Sequence, residues 1–491
     1  MKVLLVYCNS VLENALPISI SQLVSCLKES GNEVDLFDTT FYPWSANSAA
    51  ENRINALQIK PFPIDQYLDS NLYEDFADKI NHYQPDIIGF SVVEPTFKFG
   101  MRLLESVRSI ITSNKIKVIV GGIHAIFAPE TITHYDLVDF ICISEGEIAF
   151  PELCQRLKRG ESVDDIKGFW KRNGNSWIQS PKADIVNINK LPHLDFSLFH
   201  PSFLRKPMMG KMYNTVSIEL TRGCPYRCSY CGDHGLRNLF KGQGPWYRMK
   251  EMDVIFKELE SYIKNYQAEF VYCMSESFAV GKPKRLREFC ERYKSYSLPF
   301  WFNTRPEDIT EEKVKFVKDA GCKRISIGLE SGNEEFRNKV LCRHGNNELI
   351  VKAGKILHDY GISFSVNIII GFPDETREMI LDSVDLCRKL KPDAVSTHIY
   401  NPYFGTELRK RCVEKGYIDE NLISEDFFQD YILKGNSISK KEVLGLFRTI
   451  PLYVEMPENE HKRVEAAEKF TVEGDRVFGD LKKEFYTMKG W

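Results

Sequence analysis

Strand-sized, continuously apolar runs alternate with helix-length amphipathic stretches along this chain, and they fall into two series. The first comprises residues 2–7, 33–37, 86–91, 117–122 and 140–143, with helical stretches at 18–29, ending at Ser30-Gly31, and at 72–82. A strand that is apolar along its whole length is covered on both faces, and its alternation with helices makes the sheet parallel. The second series comprises residues 216–220, 269–273, 299–303, 324–329, 363–370 and 394–400, with helical stretches such as 253–264 and 311–319 between them. Six βα units predict a partial (β/α)6 barrel of the TIM type, with its chemistry at the C-terminal ends of the strands. The expected fold class is α/β: an N-terminal doubly wound, Rossmann-like parallel sheet, then the partial barrel, then a helical C-terminal region.

At 491 residues the chain is too long for one core. The expected division is residues 1–160 for the first domain, 161–213 for a linker, 214–410 for the barrel and 411–491 for the helical region. The linker is inferred from lost periodicity in polar, Pro-containing stretches such as 171–181 and Leu191-Pro192-His193. A formal net charge of −3 argues against a nucleic-acid substrate, since phosphate binding leaves a basic excess. Apolar runs such as 366–371 are strand-sized and too short to span a membrane. The start, Met1-Lys2-Val3-Leu4-Leu5-Val6-Tyr7, turns polar too soon for a secretory signal, so a cytoplasmic location is expected.

The 13 cysteines show no disulfide-like spacing, and in a reducing compartment most are small buried hydrophobes. Cys273 and Cys322 read as core, and Cys342 as an ordinary thiol. Three others differ. Cys224, Cys228 and Cys231 stand in Thr221-Arg222-Gly223-Cys224-Pro225-Tyr226-Arg227-Cys228-Ser229-Tyr230-Cys231-Gly232, directly after the first strand of the second series. Three thiolates this close can each hold one iron of a cubane cluster, leaving the fourth iron open. Zinc is the rival, but a structural zinc site wants four ligands, usually as two Cys-x2-Cys pairs, with His234 as the fourth here. In the first domain, ligands are expected beyond the strand ends Cys8-Asn9-Ser10, Ser91-Val92-Val93-Glu94, Gly121-Gly122-Ile123-His124 and Ser144-Glu145-Gly146-Glu147.

The Cys-x3-Cys-x2-Cys spacing, with Tyr230 just before the last cysteine, resembles the signature of the radical S-adenosyl-L-methionine (SAM) superfamily. The resemblance implies a [4Fe–4S] cluster whose open iron is chelated by SAM. An electron from an external low-potential donor, of the flavodoxin or ferredoxin type, then cleaves SAM to methionine and a 5′-deoxyadenosyl radical, and the radical takes hydrogen from substrate. Ile327-Gly328-Leu329-Glu330-Ser331-Gly332-Asn333 looks like the family's fourth-strand motif, which implies Glu330 at the SAM ribose. Asn367-Ile368-Ile369-Ile370-Gly371-Phe372-Pro373-Asp374-Glu375-Thr376 looks like the fifth, which implies Asn367 and Gly371 near the adenosyl group. Asn401-Pro402-Tyr403-Phe404-Gly405-Thr406-Glu407-Leu408 looks like the sixth-strand ending. After the second barrel strand, where many relatives carry several acidic residues, Met274-Ser275-Glu276-Ser277-Phe278 leaves Glu276 as the carboxylate for the SAM amino group. Arg305 is expected at the SAM carboxylate or the substrate, and Arg227 at the loop surface.

The first domain resembles that of the cobalamin-dependent branch of the same superfamily. The matching segments are Leu16-Pro17-Ile18-Ser19, Pro85 to Ser91, Val120-Gly121-Gly122-Ile123-His124 with Pro129-Glu130, and Glu145-Gly146-Glu147. The resemblance implies that Ser91, Gly121, Gly122 and Glu145 lie in loops that cradle cobalamin, the glycines permitting close backbone approach. The Asp-x-His-x2-Gly motif of cobalamin mutases is absent, so no histidine is expected on the lower face of cobalt from that position, and His124 reads as a polar residue lining its loop. The implied activity is methyl transfer: one SAM methylates cob(I)alamin, and a substrate radical takes the methyl group from methylcobalamin onto an unactivated carbon, or phosphorus. The substrate class is a small molecule, lipid or natural-product intermediate. A cyclase or ring-rearranging enzyme with the same cofactors is the alternative, and a non-catalytic cobalamin or Fe–S sensor a further one. Cys8, Cys26, Cys142 and Cys154 form no convincing second-cluster set of the kind that tRNA methylthiotransferases carry.

Overall fold

The computed structural model describes residues 1–13, 16–45, 48–62, 67–208, 210–425 and 430–491. Strand β1 (Lys2–Tyr7) has all four central residues buried and pairs in parallel with both β2 (Glu33–Asp38) and β3 (Ile87–Ser91). β4 (Lys117–Gly121) and β5 (Phe140–Cys142) follow, also parallel. The two faces divide by the period of two. Val3 and Leu5 pack under Ile20, Val24 and Leu153 of helices Ile18–Glu29 and Gly146–Arg159. Leu4 and Val6 pack under Phe76, Ile80, Leu103 and Leu104 of helices Leu72–Tyr83 and Glu94–Ser106. The order β2-β1-β3-β4-β5 reverses at β1/β3, and such a switch point opens a crevice at the strand ends.

The stretch expected to be a linker is structured. β6 (Phe169–Asn173) and β7 (Ser176–Gln179) form a hairpin that pairs antiparallel with β5 and extends the sheet to seven strands. Its turn carries Asn173-Gly174, with Gly174 at φ 59°, the short-range hairpin signal. The following residues staple the two halves of the chain together. Gln22 and Ser25 donate to the carbonyls of Pro192 and His193 (2.8 and 2.6 Å), while the N–H groups of Leu194 and Phe196 reach Tyr262 and Tyr266 (both 3.0 Å) on helix Met252–Tyr266.

The second sheet begins inside the same stretch, with β8 (Arg205–Met208) antiparallel to β9 (Lys211–Glu219). β10 (Thr221–Arg222) and β11 (Arg248–Met249) form a small ladder over the mouth. The parallel strands β12 (Phe270–Met274), β13 (Phe300–Thr304), β14 (Cys322–Glu330), β15 (Ser363–Ile370) and β16 (Ala394–Ile399) complete the order β16-β15-β14-β13-β12-β9-β8, an open half-barrel. Val271, Phe300, Ile325, Ile327, Phe364 and Val366 face the outer helices and are fully buried. The alternate residues face inward and are largely polar: Tyr272, Asn303, Arg324, Ser326, Ser365, Asn367, Ser396 and His398. Such a lining makes a chamber, where a closed TIM barrel has packed aliphatic layers. Tyr272 stacks on Trp301 at 4.3 Å, and Trp301 Nε1 donates to Ser326 Oγ at 3.0 Å.

The free edge at β16 is covered from two directions. Helix Lys440–Glu455 of the C-terminal region packs on it, with helices His461–Ala467 and Val472–Lys489 behind. From the first domain, Gln58 Nε2 donates to the Thr397 carbonyl at 2.8 Å, and Ser396 Oγ meets Gln58 Oε1 at 3.2 Å. Among the described residues no helix is long and apolar enough to cross a membrane.

Candidate active site

The cysteine loop leaves β9 at the C-terminal mouth of the half-barrel. Gly223 has φ 79°, and a Cβ there would lie 2.5 Å from the Trp246 carbonyl oxygen, so only glycine fits. Ser229 ties the loop down: its N–H donates to Leu341 O (3.0 Å), its hydroxyl to Val340 O (2.7 Å), and its carbonyl accepts from Leu408 N (3.1 Å). Cys231 caps helix Gly232–Leu239, on which His234 contacts Asn238 at 3.3 Å. Arg227 is exposed, as is Cys342, while Cys273 and Cys322 are buried.

Cys228 is buried and its two partners are part-buried. Burial pushes the Cys224 thiol up to about 11 and the Cys231 thiol to about 12, with Asp233 and Glu276 adding to both. Peptide N–H groups of Tyr226 and Asp233 offset this at Cys224 and Cys231 respectively. Cys228 Sγ instead faces two guanidiniums, Arg305 Nη1 at 3.8 Å and Arg343 Nη1 at 4.0 Å. Three soft donors on one loop, each with an N–H aimed at its sulfur, fit a cluster with one thiolate per iron. Among the described residues no three His, Cys, Asp or Glu side chains are grouped as a single-ion centre.

The other residues expected around SAM lie at the same mouth. Glu276 is open to the cleft yet walled by protein; burial and then the Asp233 carboxylate raise its pKa. Glu330, at φ 67°, folds its carboxylate back over Gly328, where a Cβ would sit 2.6 Å from Glu330 Oε1. Burial raises the pKa of Glu330, opposed by Arg343, Arg305 and a hydrogen bond with Tyr230. Asn367 is in register with Gly328 on one side and Ser396 on the other, and faces the chamber. Gly371, at φ 79°, is held by Glu375, whose carboxylate accepts from Gly371 N (2.7 Å) and Phe372 N (3.2 Å). Burial pushes Glu375 up to about 8. Arg305 is turned to Cys228 and Glu307, a position its place at the end of β13 did not reveal.

In the first domain, Ser91 and Gly121 stand side by side at the ends of β3 and β4. Gly122 is indeed at a conformation only glycine accepts, φ 98°, but what approaches it is the chain itself: a Cβ there would overlap the Val92 carbonyl oxygen. Glu145, expected in the cobalamin cradle, is engaged by the chain itself. Its carboxylate accepts from Arg248 Nη1 and Nη2 (2.8 and 2.7 Å), Arg222 Nη1 (3.3 Å) and Val186 N (2.9 Å), which leaves no lone pair for a cofactor. Burial opposes its ionisation, but the hydrogen bonds from Arg248 and the field of Arg222 hold its pKa below the usual range. Arg222 also bonds Glu147 (2.5 Å) and Glu219 (2.8 Å), so this network bolts the first sheet to the mouth of the half-barrel.

A second joint faces it. Glu94, buried, accepts from Phe404 N (2.8 Å) and Ser424 N (3.0 Å), and the Phe127 ring fills the space a Cβ of Gly405 would need. His124 is buried, 1% exposed, stacks on Phe97 at 4.3 Å and shares a hydrogen bond with Thr131 (2.9 Å); burial, then Arg409, lowers it to about 4. It is a core residue of this joint rather than a loop lining. The two joints bring residues that follow the strand ends of both sheets into contact.

Residues 218–387 match the model of the Radical SAM superfamily, and residues 4–154 match that of the B12 binding domain. An uncharacterized methyltransferase of Pyrococcus horikoshii is 26% identical over 355 residues, 70% of this chain and 73% of that one. The anaerobic magnesium-protoporphyrin IX monomethyl ester cyclase of Cereibacter sphaeroides is 24% identical over 402 residues, 78% of this chain and 61% of that one. Among solved structures, the radical SAM methyltransferase TsrM from Kitasatospora setae, with cobalamin and a [4Fe–4S] cluster bound, superposes with a TM-score of 0.63 at 16% identity over 100% of both chains, a likeness of fold. The chain is thus a radical SAM enzyme. It belongs to the cobalamin-dependent members of that superfamily, with a B12-binding domain ahead of the radical SAM domain, and its cofactors are a [4Fe–4S] cluster, SAM and cobalamin.

Proposed function

We propose that this chain is a methyltransferase, acting on an unactivated carbon or on phosphorus of a small molecule, lipid or natural-product intermediate. One observation carries the reading: the strand ends of a B12-binding sheet are joined to the mouth of the half-barrel that carries the cysteine loop, through the Arg222–Glu145 and Glu94–Phe404 contacts. When bound there, the cluster and SAM supply a 5′-deoxyadenosyl radical and cobalamin carries the methyl group.

The chain's own residues then divide the work. Cys224, Cys228 and Cys231 hold three irons. Glu276 takes the SAM ammonium, which draws its raised pKa back down and keeps it ionised. Tyr230 and Glu330 meet the ribose side, and Asn367 the adenosyl edge. Gly371 contributes shape rather than a donor, because its N–H is already given to Glu375. Ser91 and Gly121 border the cobalamin tail. Phe127, Phe372 and Phe404 wall the cleft against water. In this reading residues 1–160 bind cobalamin, 214–410 carry the radical chemistry and 411–491 buttress the barrel edge. The enzyme works in the cytoplasm with an external flavodoxin- or ferredoxin-type donor.

The test is turnover with SAM labelled in its methyl group. Label in the product, with release of S-adenosylhomocysteine and 5′-deoxyadenosine, supports methyl transfer. The likeness to a ring-forming cyclase favours a second reading, rearrangement without methyl transfer. Turnover giving 5′-deoxyadenosine, an unlabelled product and no S-adenosylhomocysteine would replace the first reading by that one.

A further inference from the structure

The three loop thiols do not share one environment. Cys224 and Cys231 take peptide N–H groups and have the carboxyl groups of Asp233 and Glu276 near them. Cys228, the most buried, has Arg305 and Arg343 within 3.8 and 4.0 Å of its sulfur. Both arginines are 6% exposed and neither can swing away. Arg305 lies over the Tyr226 ring at 3.8 Å and pairs with Glu307 through Nε and Nη2, both at 3.2 Å. Arg343 donates to the Gly328 carbonyl and stands 3.9 Å from Glu330. Two desolvated cations therefore have two carboxylates as counter-charges, one of them distant, and converge on a sulfur that iron ligation makes anionic.

We infer that Arg305 and Arg343 are positioning residues that raise the reduction potential of the cluster through Cys228. The inference rests on the radical SAM reading of the loop. Reduction adds one electron to the cluster and its sulfurs, with no bond made and no proton taken up, the electron coming from the external donor. N–H donors and fixed positive charge at a cluster sulfur stabilise the more electron-rich state. Asp233 and Glu276 act in the opposite sense at the other two thiolates, and the arginine pair counters them.

The test uses anaerobically reconstituted full-length protein without SAM. Wild type, Arg305→Gln, Arg343→Gln and Arg343→Lys are titrated electrochemically and followed by electron paramagnetic resonance (EPR), with iron and sulfide measured on the same samples. At the wild-type midpoint, the ratio of reduced to oxidised cluster is expected to fall about tenfold in each Gln variant, equivalent to 59 mV for one electron. Arg343→Lys, which keeps the charge, shifts less. Equal midpoints in fully loaded variants overturn the inference. Should a Gln variant fail to hold iron, wild type grown on arginine labelled with 15N in its guanidinium decides the matter. Pulsed EPR of its reduced cluster is expected to show 15N coupling, and its absence overturns the contact. Wild type that binds no cluster at all would instead remove the radical SAM reading itself.

Discussion

Gly371 and Tyr431 touch across the boundary between the barrel and the C-terminal region: a Cβ at 371 would lie 2.8 Å from Tyr431 Cε2. Asn436 completes the clamp, accepting from Asp374 N at 2.7 Å and donating to Phe372 O at 2.8 Å and to the Tyr431 hydroxyl at 2.5 Å. The loop that borders the adenosyl site is thus shaped from outside the barrel. Gly371→Ala combines a strained φ with this overlap, and should cost about 1–3 kcal/mol. The expected outcome is a lower melting temperature together with weaker SAM binding. Tyr431→Ala empties a buried aromatic site, so it should cost about 3–5 kcal/mol of stability as well as weaken SAM binding. Equal SAM affinity in wild type and Gly371→Ala would contradict the assignment of this loop.

Glu375 gives a pH signature. Burial holds its folded-state pKa at about 8, above the ordinary glutamate value of 4.5. Between these limits the folded chain holds a proton that the unfolded chain has lost, so stability falls as pH rises across this window and levels off above it. Glu375→Gln retains an acceptor oxygen without the titration. Denaturant unfolding should find wild type losing stability relative to Glu375→Gln between pH 5.5 and 8.5, conditions chosen to span the window. A gap independent of pH would show that Glu375 is ionised throughout.

The joint at Glu145 should behave as a buried ion network. Glu145→Gln leaves Arg248, 8% exposed in its side chain, short of its main counter-charge. Stranding a buried charge costs about 3–5 kcal/mol. Unfolding followed by probes in each sheet should separate into two transitions, and limited proteolysis should cut between the halves. The exposed pair Arg476–Glu473 is the control, where Arg476→Ala should change little.

Much of the layout was legible because covered parallel strands are apolar throughout, a local pattern. The hairpin β8–β9 escaped notice since Arg205-Lys206-Pro207-Met208 is charged and carries a proline, as edge strands do. β6 and β7 escaped although Asn173-Gly174 marked their turn. In the site, three cysteines stood out because ligation by a loop needs close spacing. Arg305 was picked out for SAM or substrate and Arg343 not at all; their contact with Cys228 was hidden because they reach it from 77 and 115 residues away. The ion network of Glu145 was hidden for the same reason: its partners Arg222 and Arg248 lie 77 and 103 residues on. Pattern reports which face a residue takes, whereas pairing across the fold follows from where the loops land.

Glu276 offers the sharpest test of the SAM site itself. Its carboxylate stands in the cleft beside the cysteine loop with a raised pKa, caused first by burial and then by Asp233. A ligand bearing an ammonium group relieves both by supplying a positive charge where the protein has gathered negative ones. Binding should therefore strengthen as pH rises through the carboxylate range and Glu276 ionises. Glu276→Gln removes the charge but keeps the shape, and loss of a charge-assisted hydrogen bond is worth about 1.5–3 kcal/mol, or roughly 10- to 150-fold in Kd. Calorimetry with SAM and with a deaminated analogue separates charge from shape. Wild type should prefer SAM strongly, and the Gln variant should bind the two almost equally. If the variant keeps the full preference for SAM, another residue receives the ammonium and the role of Glu276 in this cleft falls.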